Sequence, residues 1–286
     1  MATAIEKLGI EFDKKMIKPL QQRFVGRQLV PVNDELSKGG IGLTSVDVLT
    51  NVNMGSGEVS YSVENFNPDT LDPTLANLMI PLLYKDYKIP ARALASYKMK
   101  GVPVEGDISL LAAYNVQLQE EAMIMDGWKQ DGTNYKVNGL YQSAGNDYST
   151  SKDFGTYGNP ILAVTGGMNL LEADNVFGPF NLILNPTQKN ELAASTSSTG
   201  VEEWKRVEQI IGGRIITSPQ VTAGTGMLCP TYDNMMPYAD LINPYMMKNH
   251  LGESTTPGPK DVLGRCLEAM VIRVKQANAF CKLSSI

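Results

Sequence analysis

Apolar residues recur at spacings of three and four from the start of the chain: Ile5, Leu8, Phe12, Met16 and Leu20 fall on one face of an amphipathic helix. Such a face has to dock on something. At Ser45 the pattern changes to alternation, with Val46, Val48, Val52 and Met54 followed, after the turn Gly55-Ser56-Gly57, by Val59, Tyr61 and Val63. Period two around a glycine turn predicts a long hairpin, its arms of roughly nine residues projecting roughly 30 Å at about 3.3 Å per residue. A lone two-stranded ribbon is marginal in water. It therefore either lies on its own sheet as an edge hairpin or reaches over a neighbouring subunit.

A link rich in Pro and Asp, residues 65–73, leads into an apolar strand-like run and a short helix from about Pro90. A long helix follows, with Asp107 placed to cap its first turn, Gly127 to stop it, and Ile108, Leu111, Leu118, Ala122 and Met125 along one face. Residues 138–159 are rich in Gly, Ser, Asn, Asp and Tyr, as a boundary or surface loop is. Beyond it the pattern predicts a helix from Pro160 to Ala173, a strand from Asn181 to Leu184, a helix after Pro186 and another from Glu202 to Ile211. Gly212 and Gly213 end that helix, and Arg214 to Thr217 reads as a strand. The tail returns to β pattern over residues 235–242 and 265–280, separated by the loop 252–260. No repeat of 20–50 residues occurs, which sets solenoids and propellers aside. Helix and strand are mixed, giving an α+β class.

Composition narrows the function classes. The chain has 286 residues, 43% of them hydrophobic, and a net charge of -5 that argues against a dedicated duplex-DNA binder. The first 27 residues are the exception: Lys7, Lys14, Lys15, Lys18, Arg23 and Arg27 oppose only Glu6, Glu11 and Asp13. That face is either solvated or in contact with a polyanion. Cys229, Cys266 and Cys281 form no CxxC pair and read as buried thiols in a reducing compartment. No stretch reads as a secretory signal or a membrane-spanning helix.

Catalytic inventory is thin. One histidine, His250, removes the histidine triads and two-histidine zinc sites, and it reads as a surface residue. Glu120, Glu121 and Asp126 read as solvated helix charge, since 120 and 121 point to different faces. There is no P-loop signature, and Gly39-Gly40-Ile41-Gly42 and Gly224-Thr225-Gly226 read as turns. No enzyme site, metal site or cofactor is expected. A soluble α/β enzyme with an unrecognised carboxylate or tyrosine site is the remote alternative.

Read in order, five segments resemble the tailed-phage major capsid fold, and in wording its encapsulin branch. They are PLLYKDYKIPARAL, the helix end VQLQEEAMIMDG with the following VNGLY, GPFNLILNPTQKNEL, YADL, and LEAMVIRVKQANAF. In the last of these, Glu268 and Arg273 stand where encapsulins often carry the same residue types. The resemblance implies an N-terminal helix and arm (1–37), an extended loop hairpin (38–70), a peripheral domain around a long spine helix (71–145 and 233–286), and an inserted axial domain (146–232). It implies self-assembly into an icosahedral shell of pentamers, with hexamers in larger shells.

Within that shell the hairpin residues Val48, Val52, Met54, Gly55, Gly57, Val59 and Tyr61 would meet a neighbour. Lys7, Lys14, Lys15, Lys18 and Arg23 would face the lumen. Two shells fit. The first is the major capsid protein of a virus or provirus around its genome, localised to the virion. The second is an encapsulin compartment in the cytoplasm around protein cargo, whose terminal peptide docks where the N-terminal helix meets the peripheral domain. Ile5, Leu8 and Phe12 would line that groove, or pack on the spine helix. Some shells of this fold join a loop lysine to an asparagine of a neighbour; no lysine lies between Gly39 and Tyr84 here, so non-covalent assembly is expected.

Overall fold

The computed structural model describes residues 24–50, 74–100, 104–149, 151–197, 200–254 and 260–286. In chain order these form α1 (Gly26–Leu29), β1 (Ser45–Thr50), β2 (Thr74–Met79), β3 (Leu82–Ile89), α2 (Ala91–Lys100), α3 (Val104–Met125), β4 (Gly127–Lys129), β5 (Tyr135–Asn138), α4 (Leu140–Ser143) and β6 (Asn146–Ser149). Then follow α5 (Asn159–Ala173), β7 (Phe180–Leu184), α6 (Pro186–Ala194), α7 (Glu203–Ile211), β8 (Gly212–Thr217), β9 (Thr225–Pro230), α8 (Tyr232–Met235), β10 (Ala239–Glu253), β11 (Val262–Val274) and β12 (Cys281–Ser284). The helix expected over residues 5–20, with Ile5, Leu8, Phe12, Lys7, Lys14, Lys15, Lys18 and Arg23, lies outside the described residues. So do the hairpin positions Val52, Met54, Gly55, Gly57, Val59 and Tyr61.

An antiparallel sheet in the order β10-β11-β3 carries α3 across β11 and β3. The inward stripe of α3 is Ala112, Val116, Glu120, Met123 and Ile124, all buried. This corrects the expected face: of Ile108, Leu111, Leu118, Ala122 and Met125, only Met125 is fully enclosed. Glu120 and Glu121 are both inside, so a stripe drawn through apolar residues alone comes out rotated. Asp107 lies within the first turn, because the helix already begins at Val104. Gly127 ends it as expected, at φ 110°, a conformation that glycine tolerates and L side chains rarely adopt.

The second sheet has five strands in the order β6-β12-β9-β7-β8. All five residues of β7 are buried, between parallel β8 and antiparallel β9, which is why FNLIL is apolar on both faces apart from Asn181, whose Oδ1 accepts from the Arg214 N–H. α5 covers β12 and β6, and α7 covers β8. Asn185 caps α6 by accepting from the Thr187 N–H at 2.9 Å, with Pro186 at the first helical position.

Two elements depart from the sequence reading. Gly224 is a turn at φ 77°, but Thr225 begins the buried strand β9. The span 138–159 holds α4 and β6 as well as loop. The last strand, β12, pairs with β9 and β6 inside the five-stranded sheet. Phe280, Cys281 and Leu283 are fully buried there, so burial, through a non-local pairing, places the strand.

Candidate functional site: a two-stranded ribbon and a buried charge knot

The ribbon is built from β1 and β2, paired antiparallel from Ser45 opposite Met79 to Thr50 opposite Thr74. Val46 and Val48 thus face Leu78 and Ala76 rather than residues near 59–63. The pairing extends to Met79. Alternation sorts its two faces. Val46 and Leu78 pack against the core, while Leu75 and Met79 point the other way and are 71% and 72% exposed. Between them Asn77 donates to Asp47 at 2.7 Å. Two large apolar side chains on the outer face of a two-stranded ribbon make a surface that gains from a partner.

The second feature lies at the opposite extreme of burial. Glu121 accepts the backbone N–H groups of Val25 at 3.1 Å and Gly26 at 2.6 Å through one oxygen, and the hydroxyl of Ser218 at 3.1 Å through the other. It therefore caps α1, which has no side-chain cap of its own. A Cβ on Gly26 would stand 2.8 Å from Ile124 Cδ1 and 2.9 Å from the Glu121 carboxylate, so only glycine lets the segment sit this close to α3. Next in the chain, Arg27 donates to Glu120 and to Glu268. Glu268 also accepts from Asn243 Nδ2 at 2.9 Å. Four pieces meet here: α1, α3, the β10-β11 strands, and Ser218, whose N–H is bonded to Leu184 of β7.

Burial dominates the electrostatics of this knot. It pushes the Glu121 carboxyl up, against the opposing pull of the Gly26, Val25 and Ser218 donors. It pushes the Glu268 carboxyl up as well, and the neighbouring Glu120 adds to the rise. Burial pulls Arg27 down, but Glu120 and Glu268 outweigh it, leaving the guanidinium above its usual range. The expectation of solvated helix charge at Glu120 and Glu121 is overturned. The usable signal was the resemblance at VQLQEEAMIMDG and at Glu268; periodicity assigns glutamates to the outside.

A second tie fastens the same N-terminal segment. Asp240 accepts from Asn33, Arg273 and Lys275. Burial pushes this carboxyl up, yet those three donors together hold it below the ordinary carboxylate range. His250 is exposed on β10, where its Nε2 lies 2.8 Å from the Tyr245 hydroxyl. The three cysteines are free and buried, as expected. Among the described residues, no group of three or more His, Cys, Asp or Glu side chains is placed to hold a metal, and no helix is long and apolar enough to cross a membrane.

An outer ribbon face that exposes Leu75 and Met79 suits a subunit with neighbours, and family comparison agrees. The family model described as "Encapsulating protein for peroxidase" matches residues 4–236. The chain belongs to that family. It is 23% identical over 278 residues to the type 1 encapsulin shell protein EncA of Myxococcus xanthus, covering 97% of this chain and 92% of that one. Two solved structures share the fold. The virus-like particle from Pyrococcus furiosus is 21% identical with a TM-score of 0.59 over 92% of each chain. The capsid of Myoviridae phage XM1 is 13% identical with a TM-score of 0.77 over 100% of this chain and 99% of that one. The expected tailed-phage capsid fold is thus found, and the chain is a self-assembling icosahedral shell subunit of encapsulin or capsid type.

Proposed function

We propose that this shell is an encapsulin-type compartment that encloses protein. The observation that carries the reading is the match to the encapsulating family from residue 4 onward, which takes in the N-terminal segment as well as the body. The chain's net charge of -5 supports it, because a wall around a genome has to offset phosphate charge. In this reading Ile5, Leu8 and Phe12 form the groove that takes the cargo's terminal peptide, and the loop hairpin, including Val48, overlaps a neighbour. The five-stranded sheet is the axial domain, β3, β10, β11 and α3 form the peripheral domain, and chemistry inside the shell belongs to the cargo. The particle is held in the cytoplasm.

A genome-filled capsid is the second reading, favoured by the capsid fold of the neighbour from phage XM1 and by the basic residues Lys7, Lys14, Lys15, Lys18 and Arg23, which would then face nucleic acid. One preparation separates the two. Particles isolated from the native host, treated with nuclease and opened, should release one or a few proteins besides the shell chain and no protected nucleic acid. Protected genome-length nucleic acid with no second protein would reverse the order.

A further inference from the structure

We propose that Glu268 carries a proton shared with Asn243, and that this proton is a latch holding the 24–33 segment in its seat, released as pH rises. Two side-chain oxygens in the knot are buried without any hydrogen-bond partner, Glu268 Oε2 and Asn243 Oδ1. Both residues are more than nine-tenths buried. They belong to two side chains already joined by their other ends, since Asn243 Nδ2 donates to Glu268 Oε1 at 2.9 Å. A carboxylic acid facing a carboxamide closes a ring of two hydrogen bonds. One proton on Glu268 Oε2, donated to Asn243 Oδ1, satisfies both orphaned atoms together, and nothing else bonded at the site supplies a donor there. Glu268 Oε1 is then the carbonyl oxygen, accepting from Asn243 and from Arg27.

The charge count points the same way. Among the described residues, Glu120 on α3 and Glu268 on β11 share one cation, Arg27 of α1, while Glu121 is bonded to none; the remaining partners, the Val25 and Gly26 backbone, Ser218 and Asn243, are neutral. Cys266, two residues along β11, is pushed up by burial first and by Glu268 second, so it supplies no balancing charge. Three ionised carboxylates would leave two negative charges uncompensated in the interior, a costly arrangement. Glu121 is a poor place for a proton, because both its oxygens already accept from donors. Glu268 has the vacant oxygen.

The sign of the pH dependence follows. A carboxyl raised in the seated state binds its proton more tightly there than when the segment is free and the group is hydrated. The gain in seating is therefore full below the value of the free group and is lost as pH climbs from there through the raised value. Ionised Glu268 would also repel Glu120 across the shared Arg27.

The test uses assembled shells, whatever they enclose. Exchange protection of the Val25 and Gly26 amides, corrected for intrinsic exchange, is followed from acid to alkaline pH beside infrared spectra of the un-ionised carboxyl stretch. The expected result is a wild-type limb along which protection falls by up to about tenfold per pH unit for one linked proton between the free and the seated value, levelling off as the carboxyl band bleaches. Glu268→Gln places an amide donor toward Asn243 Oδ1 and should hold protection level across that range. A flat wild-type profile, the same limb in Glu268→Gln, or a wild-type band that does not bleach where the limb levels off would each overturn the latch. The wild-type spectra decide the matter if the variant does not assemble. Cargo identity plays no part in these readings, so failure of the compartment proposal leaves them intact.

Discussion

Replacing Leu75 and Met79 by serine should leave the subunit folded and take away its shell. Both side chains lie on the outer face of the ribbon, 71% and 72% exposed, with the Asn77–Asp47 hydrogen bond between them. Exposed substitutions without partners alter stability by about 0.5 kcal/mol or less. Full burial of a leucine or methionine is worth about 1.5–3 kcal/mol. With some seven-tenths of each still open, a neighbour stands to cover about 1–2 kcal/mol per residue, or about 3 kcal/mol for the pair. At 1.4 kcal/mol per factor of ten, the protein concentration at which shells appear should rise roughly 100-fold. Light scattering across a dilution series reads that threshold, and thermal unfolding of the unassembled subunit reads the fold. Shells that form at the wild-type concentration would refute the assignment of this face to an inter-subunit contact. A large drop in melting temperature would show instead that the face serves the subunit's own core.

Further expectations concern the interior and the loop. Glu121→Ala strands the Val25 and Gly26 N–H groups and the Ser218 hydroxyl, and should cost about 2–4 kcal/mol in denaturant unfolding of the subunit. Glu121→Gln, which keeps an acceptor, should cost less. Burial pushes the Cys229 thiol up to about 12 and the Cys281 thiol up to about 11. A thiol reagent at pH 8 should therefore leave both unmodified in the native shell and label them after unfolding. With no lysine from Gly39 to Tyr84, boiled shells should run as monomer on denaturing gels; a ladder of multimers would contradict non-covalent assembly. Gly264→Val forces a side chain into the space filled by the Tyr87 ring. It should lower the melting temperature and break the Tyr87–Asn249 hydrogen bonding at the end of the β10-β11 hairpin.

What was legible in the chain separates along a physical line. α5, α7, β7 and β11 carry their burial in their own apolar periods and stop signals, so each could be read from a local window; of β10 only the buried start, Ala239 to Ile242, was, because its exposed outer half, to Glu253, has no apolar period. β9 and β12 could not, because a strand of six or four residues acquires its place from partners far away in the chain: Cys281 sits between Leu228 and Asn146. The ribbon was half legible. Alternation from Val46 marked a strand correctly, but its partner at 74–79 was hidden behind a stretch that reads as link.

The knot was least legible, and the reason is instructive about charge. A helix that turns Glu120 and Glu121 inward and a strand that turns Glu268 inward would each be a fault in isolation, since a buried carboxylate without a partner is far costlier than an exposed one. They become tolerable only when a third segment brings a guanidinium and two free backbone N–H groups to the same point. That segment lies 241 residues from Glu268 and 93 from Glu120. No window narrower than nearly the whole chain contains the interaction. The same separation gives the knot its structural consequence: removing Arg27 takes a donor from inward-facing carboxyl groups on both the long helix and the three-stranded sheet, so the seating of residues 24–33 and the integrity of the body behind them depend on one another.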